Sequence, residues 1–396
     1  MDSLILPSAE WRSREGLDRL VAALGDARFV GGSVRDTLLG IPVSDVDLAT
    51  PLPPRRVMEL LRAAEIKAVP TGIEHGTITA VLPGGPVEVT TLRRDVSTDG
   101  RRATVAFTDD WREDAARRDF TINALYADPS TGEIFDYFGG IADLEARHVR
   151  FIGDPLRRIA EDHLRILRFF RFLARFGDRP DPEGLDACAA RAKDLMALSR
   201  ERIRDELLKL VVARDAVRVV ELMLARGIFE PVLPEITSAA RLAHLAHREA
   251  AAGVSADPIR RLAALVPRDA TVADQIGARL KLSNAERKRL AAAVMSPDQA
   301  PRPLAYRLGI ESAVDQLLLS ERPLDVLAEL NGWQPPKLPL GGGALVQRGL
   351  AKGPDVARAL RAVEERWISE GFPDADRVGL IADEVVAQAL RPVSKA

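Results

Sequence analysis

The sequence is poor in cysteine and aromatic residues and has no hydrophobic run long enough to cross a membrane. Cys188 is the only cysteine, which excludes a disulfide framework and a cysteine metal site and predicts a buried or half-buried side chain. Aromatic residues make up 5% of the chain, too few for an extended stacking platform on single-stranded nucleic acid. The N-terminal residues show no signal-peptide pattern, so we expect a cytoplasmic protein.

Two further features are inconclusive or absent. The net charge of −2 neither supports nor excludes a nucleic-acid partner, although basic residues are dense between Arg147 and Arg179. The five histidines show no convincing pair of metal ligands, so we expect no metal-dependent phosphohydrolase domain. Nothing in the sequence implies a membrane or a protein partner.

The chain of 396 residues is too long for one ordinary core, and its patterns change near residue 140. Before that point strand and helix signals alternate; after it, apolar residues recur at helical spacing, for example over Pro155–Phe176 and Ser199–Val212. The first part predicts strands at Ala27–Gly32 and Ser44–Thr50, helices at Ser33–Gly40 (Ser33 as N-cap) and Pro53–Ile66, a hairpin over Gly76–Arg93, a mobile loop over Asp95–Asp110, a helix over Arg117–Asp128, and a strand and turn over Gly132–Gly140.

The most informative feature is a pair of carboxylates, Asp45 and Asp47, that follows a glycine turn at Gly31-Gly32. Residues i and i+2 of a strand point to the same face, so the two carboxylates should lie side by side. They repel each other unless a cation lies between them, and Mg²⁺ prefers such oxygen ligands. A glycine turn that approaches phosphate, together with this metal site, suggests phosphoryl or nucleotidyl transfer; the alternative is a solvated loop.

Other candidates depend on context. Glu88 lies between valines in a predicted strand, where it is either an exposed residue or a third carboxylate near the metals. Arg118 and Asp119 precede an apolar run, as a helix start or as a phosphate contact.

One predicted helix has a possible recognition surface. Asp162 and Arg165 are three residues apart and should share a helix face, which Arg168 and Arg171 continue. The pattern fits an ordinary ion-paired helix. It also fits base recognition, with the carboxylate accepting from an exocyclic amine and the guanidinium donating to ring acceptors.

In combination, these motifs resemble the class II bacterial tRNA nucleotidyltransferase and poly(A) polymerase family, in the DNA polymerase beta-like superfamily. The resemblance covers roughly residues 28 to 212 and rests on GGSVRDTLLG, DVDLAT, VEVTTLR, RRDFTINAL, EDHLRILRFFRF and SRERIRDELLKLV, in this order. It implies an α+β fold, with a small mixed-sheet nucleotidyltransferase head followed by an all-helical neck, body and tail. We assign the head to residues 1–140, the neck to 141–213, and the tRNA-binding body and tail to 214–396.

The resemblance also implies residue roles. Asp45 and Asp47 match the Mg²⁺-binding catalytic pair, and we group Glu88 with them. Positions that match nucleotide contacts are Gly32, Arg35, Arg118, Asp119, Asp162, Arg165, Arg168 and Arg171. Within this set, Asp162 and Arg165 match the amino-acid template that pairs with cytosine or adenine.

The implied activity is addition of CCA to a tRNA 3′ end from CTP and ATP, with release of pyrophosphate. The segment from Asp99 to Thr121 resembles the mobile loop of CCA-adding enzymes, and EDHLR resembles their template helix. Poly(A) polymerases and separate CC-adding or A-adding enzymes share most of these motifs and stay as alternatives. A catalytically inactive RNA-binding protein is an alternative from another class, although the intact Asp45 and Asp47 argue against it.

Overall fold

The structure, a computed structural model, describes residues 4–99 and 102–390. The chain divides into two compact units, of which the first ends at Ser238 and the second begins at Ala239. All strands in the described ranges belong to the first unit, and the second consists of helices and their connections. The predicted α+β class, with a mixed-sheet head followed by helices, is confirmed.

The main sheet of the first unit has seven strands in the order β3-β4-β5-β2-β1-β8-β9. Strands β2 and β5 run parallel, whereas the other neighbours in this sheet run antiparallel. Two further pairs, β6 with β7 and β10 with β11, lie outside it. The strands are β1 Arg28–Val30, β2 Val46–Thr50, β3 Lys67–Gly72, β4 Thr77–Leu82, β5 Gly85–Thr91, β6 Arg93–Asp99, β7 Arg102–Phe107, β8 Leu125–Ala127, β9 Ile134–Asp136, β10 His148–Val149 and β11 Arg179–Pro180.

Along the chain, helices lie before, between and after the strands of this sheet. In the first unit they are α1 Leu17–Leu24, α2 Gly32–Leu38, α3 Pro54–Ala63, α4 Trp111–Ala116, α5 Gly140–Glu145, α6 Pro155–Glu161, α7 Arg165–Phe176, α8 Pro182–Ala190, α9 Arg200–Val211 and α10 Ala216–Ala225. In the second unit they are α11 Ala240–Ala252, α12 Pro258–Leu265, α13 Ala270–Arg279, α14 Asn284–Ala293, α15 Pro301–Leu308, α16 Ile310–Leu319, α17 Gly342–Gln347, α18 Pro354–Ser369 and α19 Ala375–Ala389. Short 3₁₀ turns lie at Glu10–Ser13, Ile73–His75, Thr121–Asn123, Ala192–Ala197 and Leu324–Leu330.

The glycine turn before α2 forms as predicted, but the predicted cap does not. Gly31 occupies the N-cap position with a φ of +69°, a conformation that glycine adopts without a Cβ penalty. Ser33 therefore lies inside the helix, and its hydroxyl donates to the carbonyl of Val30 at 3.3 Å. The helix ends at Leu38, and Gly40 follows with a φ of +66°, consistent with the predicted stop.

Two further predictions about the head were wrong. The predicted helix over Arg117–Asp128 is instead a 3₁₀ turn followed by β8, whose three residues are all buried between β1 and β9. Sheet pairing on both edges outweighs the helical spacing of the apolar residues here. The predicted mobile loop over Asp95–Asp110 is largely the β6–β7 hairpin, whose cross-strand hydrogen bonds satisfy the backbone. Residues 100–101, within that prediction, lie outside the described residues.

The helix predicted over Pro155–Phe176 is interrupted. Helix α6 ends at Glu161, and α7 begins only at Arg165. Asp162 has extended backbone angles, with φ −152° and ψ 106°, so it cannot share a helix face with Arg165 as predicted. An Asp side chain favours such breaks because it bonds to nearby backbone, and here its carboxylate accepts from the Leu164 N–H at 3.1 Å.

Buried aromatic rings pack α7 against the segment that follows α4. Phe120 lies 5.0 Å from Phe151 and 5.2 Å from Phe172, measured between ring centroids. Phe151 stacks on Phe169 at 5.5 Å. Offset and tilted aromatic pairs add to the stabilisation from burial itself. This packing fixes the positions of Asp119 and Arg168, which lie beside Phe120 and Phe169 in the sequence.

The second unit combines an apolar cluster with a buried ionic network. Trp367 is buried in the cluster built by α17, α18 and α19, and its indole N–H donates to the carbonyl of Pro373 at 2.8 Å. Arg260 donates to Glu249 and Asp315 at 2.8 Å each. None of the helices in the described ranges is long and apolar enough to cross a membrane. Cys188, in the first unit, is buried as predicted.

Candidate active site

The register of β2 and β5 brings the predicted carboxylates together. Asp47 in β2 lies directly opposite Glu88 in β5, because the two strands are parallel neighbours. Asp45 precedes the first residue of β2 and is exposed. Burial, then Glu88 and Asp45, raise the pKa of Asp47 to about 6, although Arg118 opposes this shift. Arg118 offsets part of the charge on Asp47, but in the described part of the chain none of these three carboxylates forms a salt bridge, so negative charge concentrates here.

This charge fits a divalent cation. Among the residues that the structure describes, no three His, Cys, Asp or Glu side chains converge closely enough to hold a metal by themselves. Magnesium in phosphoryl-transfer sites is usually held by one or two carboxylates, with substrate phosphates and water completing its shell. Asp45 and Asp47 supply that number of carboxylates, and Glu88 lies beside them without completing a three-ligand site.

A cavity of about 530 Å³ opens beside Asp47. Six of its thirteen lining residues are arginines, which suit the negative charge of a triphosphate. Seven of the eight predicted nucleotide contacts line it, and Arg171 does not. Its lining residues are Gly31, Gly32, Arg35, Asp47, Arg93, Arg117, Arg118, Asp119, Asn123, Asp162, Arg165, Arg168 and Phe172.

The glycine turn forms one wall of this cavity. A Cβ added to Gly31 would lie 3.5 Å from Arg118 Nη1 and 3.5 Å from the carbonyl of Asn123. Arg35, from the same turn of α2, donates to Asp36 at 2.8 Å and also bonds to the side chain of Asn123. Its guanidinium lies over the ring of Phe176, and burial lowers its pKa despite the neighbouring carboxylate.

A buried carboxylate that the sequence interpretation missed holds Arg118 in place. Asp114 of α4 is 1% exposed and accepts from Arg118 at 3.1 Å, Arg117 at 2.9 Å and the Tyr126 hydroxyl at 2.7 Å. Burial by itself would raise the pKa of Asp114, but the charges of Arg118 and Arg117 hold it well below its usual range. The backbone N–H of Arg93, at the start of β6, also donates to Asp114 at 3.2 Å.

Tyr126 completes this arrangement. Its hydroxyl accepts from Arg118 Nε at 3.1 Å while it donates to Asp114, and burial raises its pKa above the usual range. Arg117 and Arg118 are thus held in a fixed orientation. Burial opposes the charge of Arg118, but Tyr126 and Asp114 raise its pKa above the usual range. The sequence signal for Asp114 was an acid three and four residues before two arginines on one helix face.

A second network holds Asp119 and Arg168. Asp119 accepts from Arg168 Nε at 2.7 Å, from Asn123 at 2.9 Å and from the N–H of Phe120 at 2.8 Å. Burial opposes ionisation of Asp119, yet Arg168 and Asn123 lower its pKa. Arg168 also pairs with Glu206 of α9, and Arg171 bonds to the same Glu206. Arg171 therefore supports the cavity wall from behind Arg168 and does not line the cavity.

Asp162 and Arg165 both line the cavity although no helix face joins them. Arg202 of α9 donates to Asp162 Oδ2 at 2.7 Å, and the N–H of Arg165 donates to the Asp162 carbonyl at 3.0 Å. Arg165 Nη1 donates to the carbonyl of Arg158 at 2.8 Å and pairs with Glu161. The turn between α6 and α7 thus places one acceptor and one donor in the lining of the same cavity, the chemistry that base recognition needs.

Comparison with known proteins agrees with this geometry. Residues 27–150 match the family model described as the Poly A polymerase head domain. Residues 179–240 match the model described as a probable RNA and SrmB-binding site of polymerase A. The mitochondrial CCA tRNA nucleotidyltransferase 1 of Mus musculus is 36% identical over 395 residues, which cover 93% of this chain and 90% of the mouse protein. The corresponding Homo sapiens protein has the same identity and coverage.

A solved structure supports the same assignment. The Bacillus stearothermophilus CCA-adding enzyme in complex with CTP superposes with a TM-score of 0.76 and 26% identity, covering 93% of this chain and 97% of that chain. Fold and relatives together define a nucleotidyltransferase. More particularly, the chain belongs to the CCA tRNA nucleotidyltransferase and poly(A) polymerase family.

Proposed function

We propose that this enzyme adds CCA to the 3′ end of tRNA, transferring CMP and AMP from CTP and ATP and releasing pyrophosphate. The observation that carries the proposal is the single cavity that joins Asp47, the arginines and the Asp162–Arg165 turn. One cavity therefore offers a place for the triphosphate and a place for the base. The relatives with 36% identity are named for this activity.

Asp45 and Asp47 would hold Mg²⁺, which when bound neutralises phosphate charge and favours ionisation of an attacking hydroxyl. The chain's own contribution is mainly positioning and electrostatic stabilisation. Arg118, kept charged by Asp114, faces the phosphates, and Asp119 orients Arg168 toward the same cavity. Glu88 keeps the electrostatic potential at Asp47 negative, which favours a cation there.

Base selection is assigned to the turn between α6 and α7. Asp162 accepts from the exocyclic amine that cytosine and adenine share, and Arg165 donates to a ring acceptor. Uracil presents a carbonyl in place of that amine, which would set an oxygen acceptor against the carboxylate, and a site built to bond an amine discriminates strongly against a base that lacks it. Arg202 orients the Asp162 carboxylate by its hydrogen bond.

We also propose the division into a head over 1–140, a neck over 141–213, and a tRNA-binding body and tail over 214–396. Support comes from the sheet, which ends with β9, and from the RNA-binding family model over residues 179–240. We further propose that the enzyme acts in the cytoplasm, although the mouse and human relatives are named as mitochondrial.

The test is nucleotide incorporation with Mg²⁺ into three tRNA transcripts, which lack CCA, end in C or end in CC. CTP and ATP are supplied separately and together. We expect all three transcripts to be completed to CCA and extended no further. Long adenosine tails would identify a poly(A) polymerase, and stopping after CC, or acting only on the CC-ended transcript, would identify a split-function enzyme. Binding of tRNA without incorporation would leave only an RNA-binding protein.

Two variants test the residue roles, each with a matched control. Asp45→Ala should abolish incorporation with the fold intact, whereas Asp18→Ala, an exposed residue of α1, should not. Arg165→Ala should reduce discrimination of CTP and ATP against UTP and GTP. Its control is Arg157→Ala, an exposed arginine of α6. Unchanged selectivity in Arg165→Ala would contradict the assignment of base recognition to this turn.

A further inference from the structure

The segment before α1 contacts the residues that lead into β2 and β5, the two strands that position the carboxylates. Because β2 and β5 are parallel, they begin at the same edge of the sheet. There, Arg14 Nη2 donates to the carbonyl of Ser44 at 3.0 Å and to that of Val43 at 3.3 Å. The backbone carbonyl of the next residue, Glu15, accepts from the N–H of Gly84 at 3.1 Å. Two consecutive residues thus hold the chain just before β2 and just before β5.

The approach of Glu15 to Gly84 is close. A Cβ on Gly84 would lie 2.8 Å from the Glu15 nitrogen, which is closer than real Cβ atoms approach. It would also lie 3.0 Å from the Arg14 Cβ. Glycine is therefore required at this turn by its neighbours. The residues just before β5 are therefore held by backbone contact with Glu15. The residues just before β2 are held by the side chain of Arg14.

The residues that lead into β2 have little other support. Pro42 and Ser44 are exposed, and a cavity of about 640 Å³ borders this segment, lined by Trp11, Gly40 and Val43 among others. Within the described ranges no backbone N–H donates to the carbonyls of Val43 or Ser44. A shift of this segment would move Asp45, which directly follows Ser44.

The chemistry of the contact also points to positioning. Among the residues that the structure describes, Arg14 has no carboxylate partner, and both of its acceptors are main-chain carbonyls. An arginine can donate to two acceptors in a fixed geometry that a lysine does not reproduce. The side chain of Ser44 in turn donates to Asp45 Oδ2 at 2.9 Å. Ser44 therefore links Arg14 to Asp45, with its carbonyl bound to Arg14 and its hydroxyl bound to the Asp45 carboxylate.

We propose that Arg14 is a positioning residue for the carboxylate pair. It holds Val43 and Ser44, just before β2, so that Asp45 and Asp47 together bind the divalent cation. The inference rests on the proposed function. Arg14 acts through main-chain carbonyls, as outer-shell partners of metal sites do when they orient a ligand. It does not line the nucleotide cavity, so base selection should not depend on it.

The test compares Arg14→Ala and Arg14→Lys with Arg12→Ala. Arg12 is the matched control because it lies in the same segment and donates to the carbonyls of Leu6, Pro7 and Pro129, none of which adjoins a carboxylate of the site. Binding of Mn²⁺ to the full chain without nucleotide is followed by electron paramagnetic resonance. Steady-state kcat and KM for CTP, selectivity against UTP, and Tm are measured alongside.

Arg14→Ala should weaken Mn²⁺ binding by about tenfold or more, the usual effect of losing an outer-shell partner. It should lower kcat at limiting Mg²⁺ with partial recovery at high Mg²⁺, and leave selectivity against UTP unchanged. Arg14→Lys should give an intermediate result. Arg12→Ala should retain wild-type Mn²⁺ binding, whatever its effect on Tm.

The inference fails if Arg14→Ala binds Mn²⁺ like the wild type, or if Arg12→Ala weakens binding equally, since either result would leave only a general structural role. Failure of the proposed function has a different signature. In that case the wild type would incorporate no nucleotide, or Asp45→Ala would bind Mn²⁺ and turn over normally. Loss of Mn²⁺ binding in Asp45→Ala with normal binding in Arg14→Ala overturns the role of Arg14 alone.

Discussion

Replacing Asp114 by asparagine should both destabilise the first unit and weaken nucleotide binding. The carboxylate accepts four hydrogen bonds, from the N–H of Arg93, the side chains of Arg117 and Arg118, and the Tyr126 hydroxyl. Asparagine keeps the shape but offers one acceptor oxygen and places an NH₂ group where the other oxygen was. At least one arginine donor then faces another donor inside a buried site.

The magnitude follows from these contacts. A hydrogen bond to a charged group is worth about 1.5–3 kcal/mol, and an unsatisfied buried donor costs about 1–3 kcal/mol. Breaking a buried ion pair outright costs about 3–5 kcal/mol. Because asparagine preserves part of the network, we expect a loss of about 3 kcal/mol in the free energy of unfolding. If Arg118 also contributes roughly 1.4 kcal/mol less to nucleotide binding, the KM for CTP and ATP should rise by about tenfold.

The assay is urea unfolding of Asp114→Asn, combined with steady-state kinetics under conditions where the variant is folded. The matched control is Asp110→Asn. It makes the same substitution at the exposed N-cap of the same helix, where Asp accepts from the N–H of Arg112 at 2.7 Å. Asparagine caps helices about as well as aspartate, so the control should change stability by less than about 0.5 kcal/mol. Equal effects of the two substitutions would refute the reasoning.

Three further predictions concern the pH dependence due to Asp114, the backbone at Gly31 and the burial of Trp367. The low pKa of Asp114 contributes stability above its usual value of 3.8 that is lost as pH falls below that value, so urea unfolding of Asp114→Asn should depend less on pH below about 4 than unfolding of the wild type. Gly31→Ala should cost about 1–3 kcal/mol and raise the KM for both nucleotides, because φ +69° with ψ −118° is unfavourable for alanine; Gly253→Ala, at an ordinary left-handed helix end, should cost less and leave KM unchanged. Trp367→Ala should destabilise the second unit by about 3–5 kcal/mol in urea, and an equal loss from the half-buried Trp333→Ala would contradict its central place in that core.

Much of the head was predictable because its signals are local. The strand of Arg28–Val30 and the hairpin of β4 and β5 follow from alternating apolar residues and glycine turns. The two segments whose strands were not predicted share one cause. The segments of β8 and of the β6–β7 hairpin are decided by the partners that they pair with, and spacing within a segment carries no information about those partners.

The candidate site divides in the same way. Asp45 and Asp47 were found from the sequence because two carboxylates at this spacing indicate a metal site within one short segment. Asp114 and Tyr126 were missed because the only local signal was the spacing of Asp114 from two arginines, and the tyrosine meets the carboxylate only in the folded chain. Arg171 was placed in the cavity because helical spacing aligns it with Arg168, but Glu206 holds it behind the wall.

The sequence alone determined the class of fold, the family resemblance and eight of the thirteen residues that line the nucleotide cavity, because these depend on short motifs with fixed spacing. Only the tertiary structure decided which charges meet. The parallel register of β2 and β5 places Asp47 against Glu88, and the break after α6 makes Asp162 and Arg165 neighbours across a turn. Such encounters depend on sheet order and helix packing over tens of residues, and periodicity within one segment does not encode them.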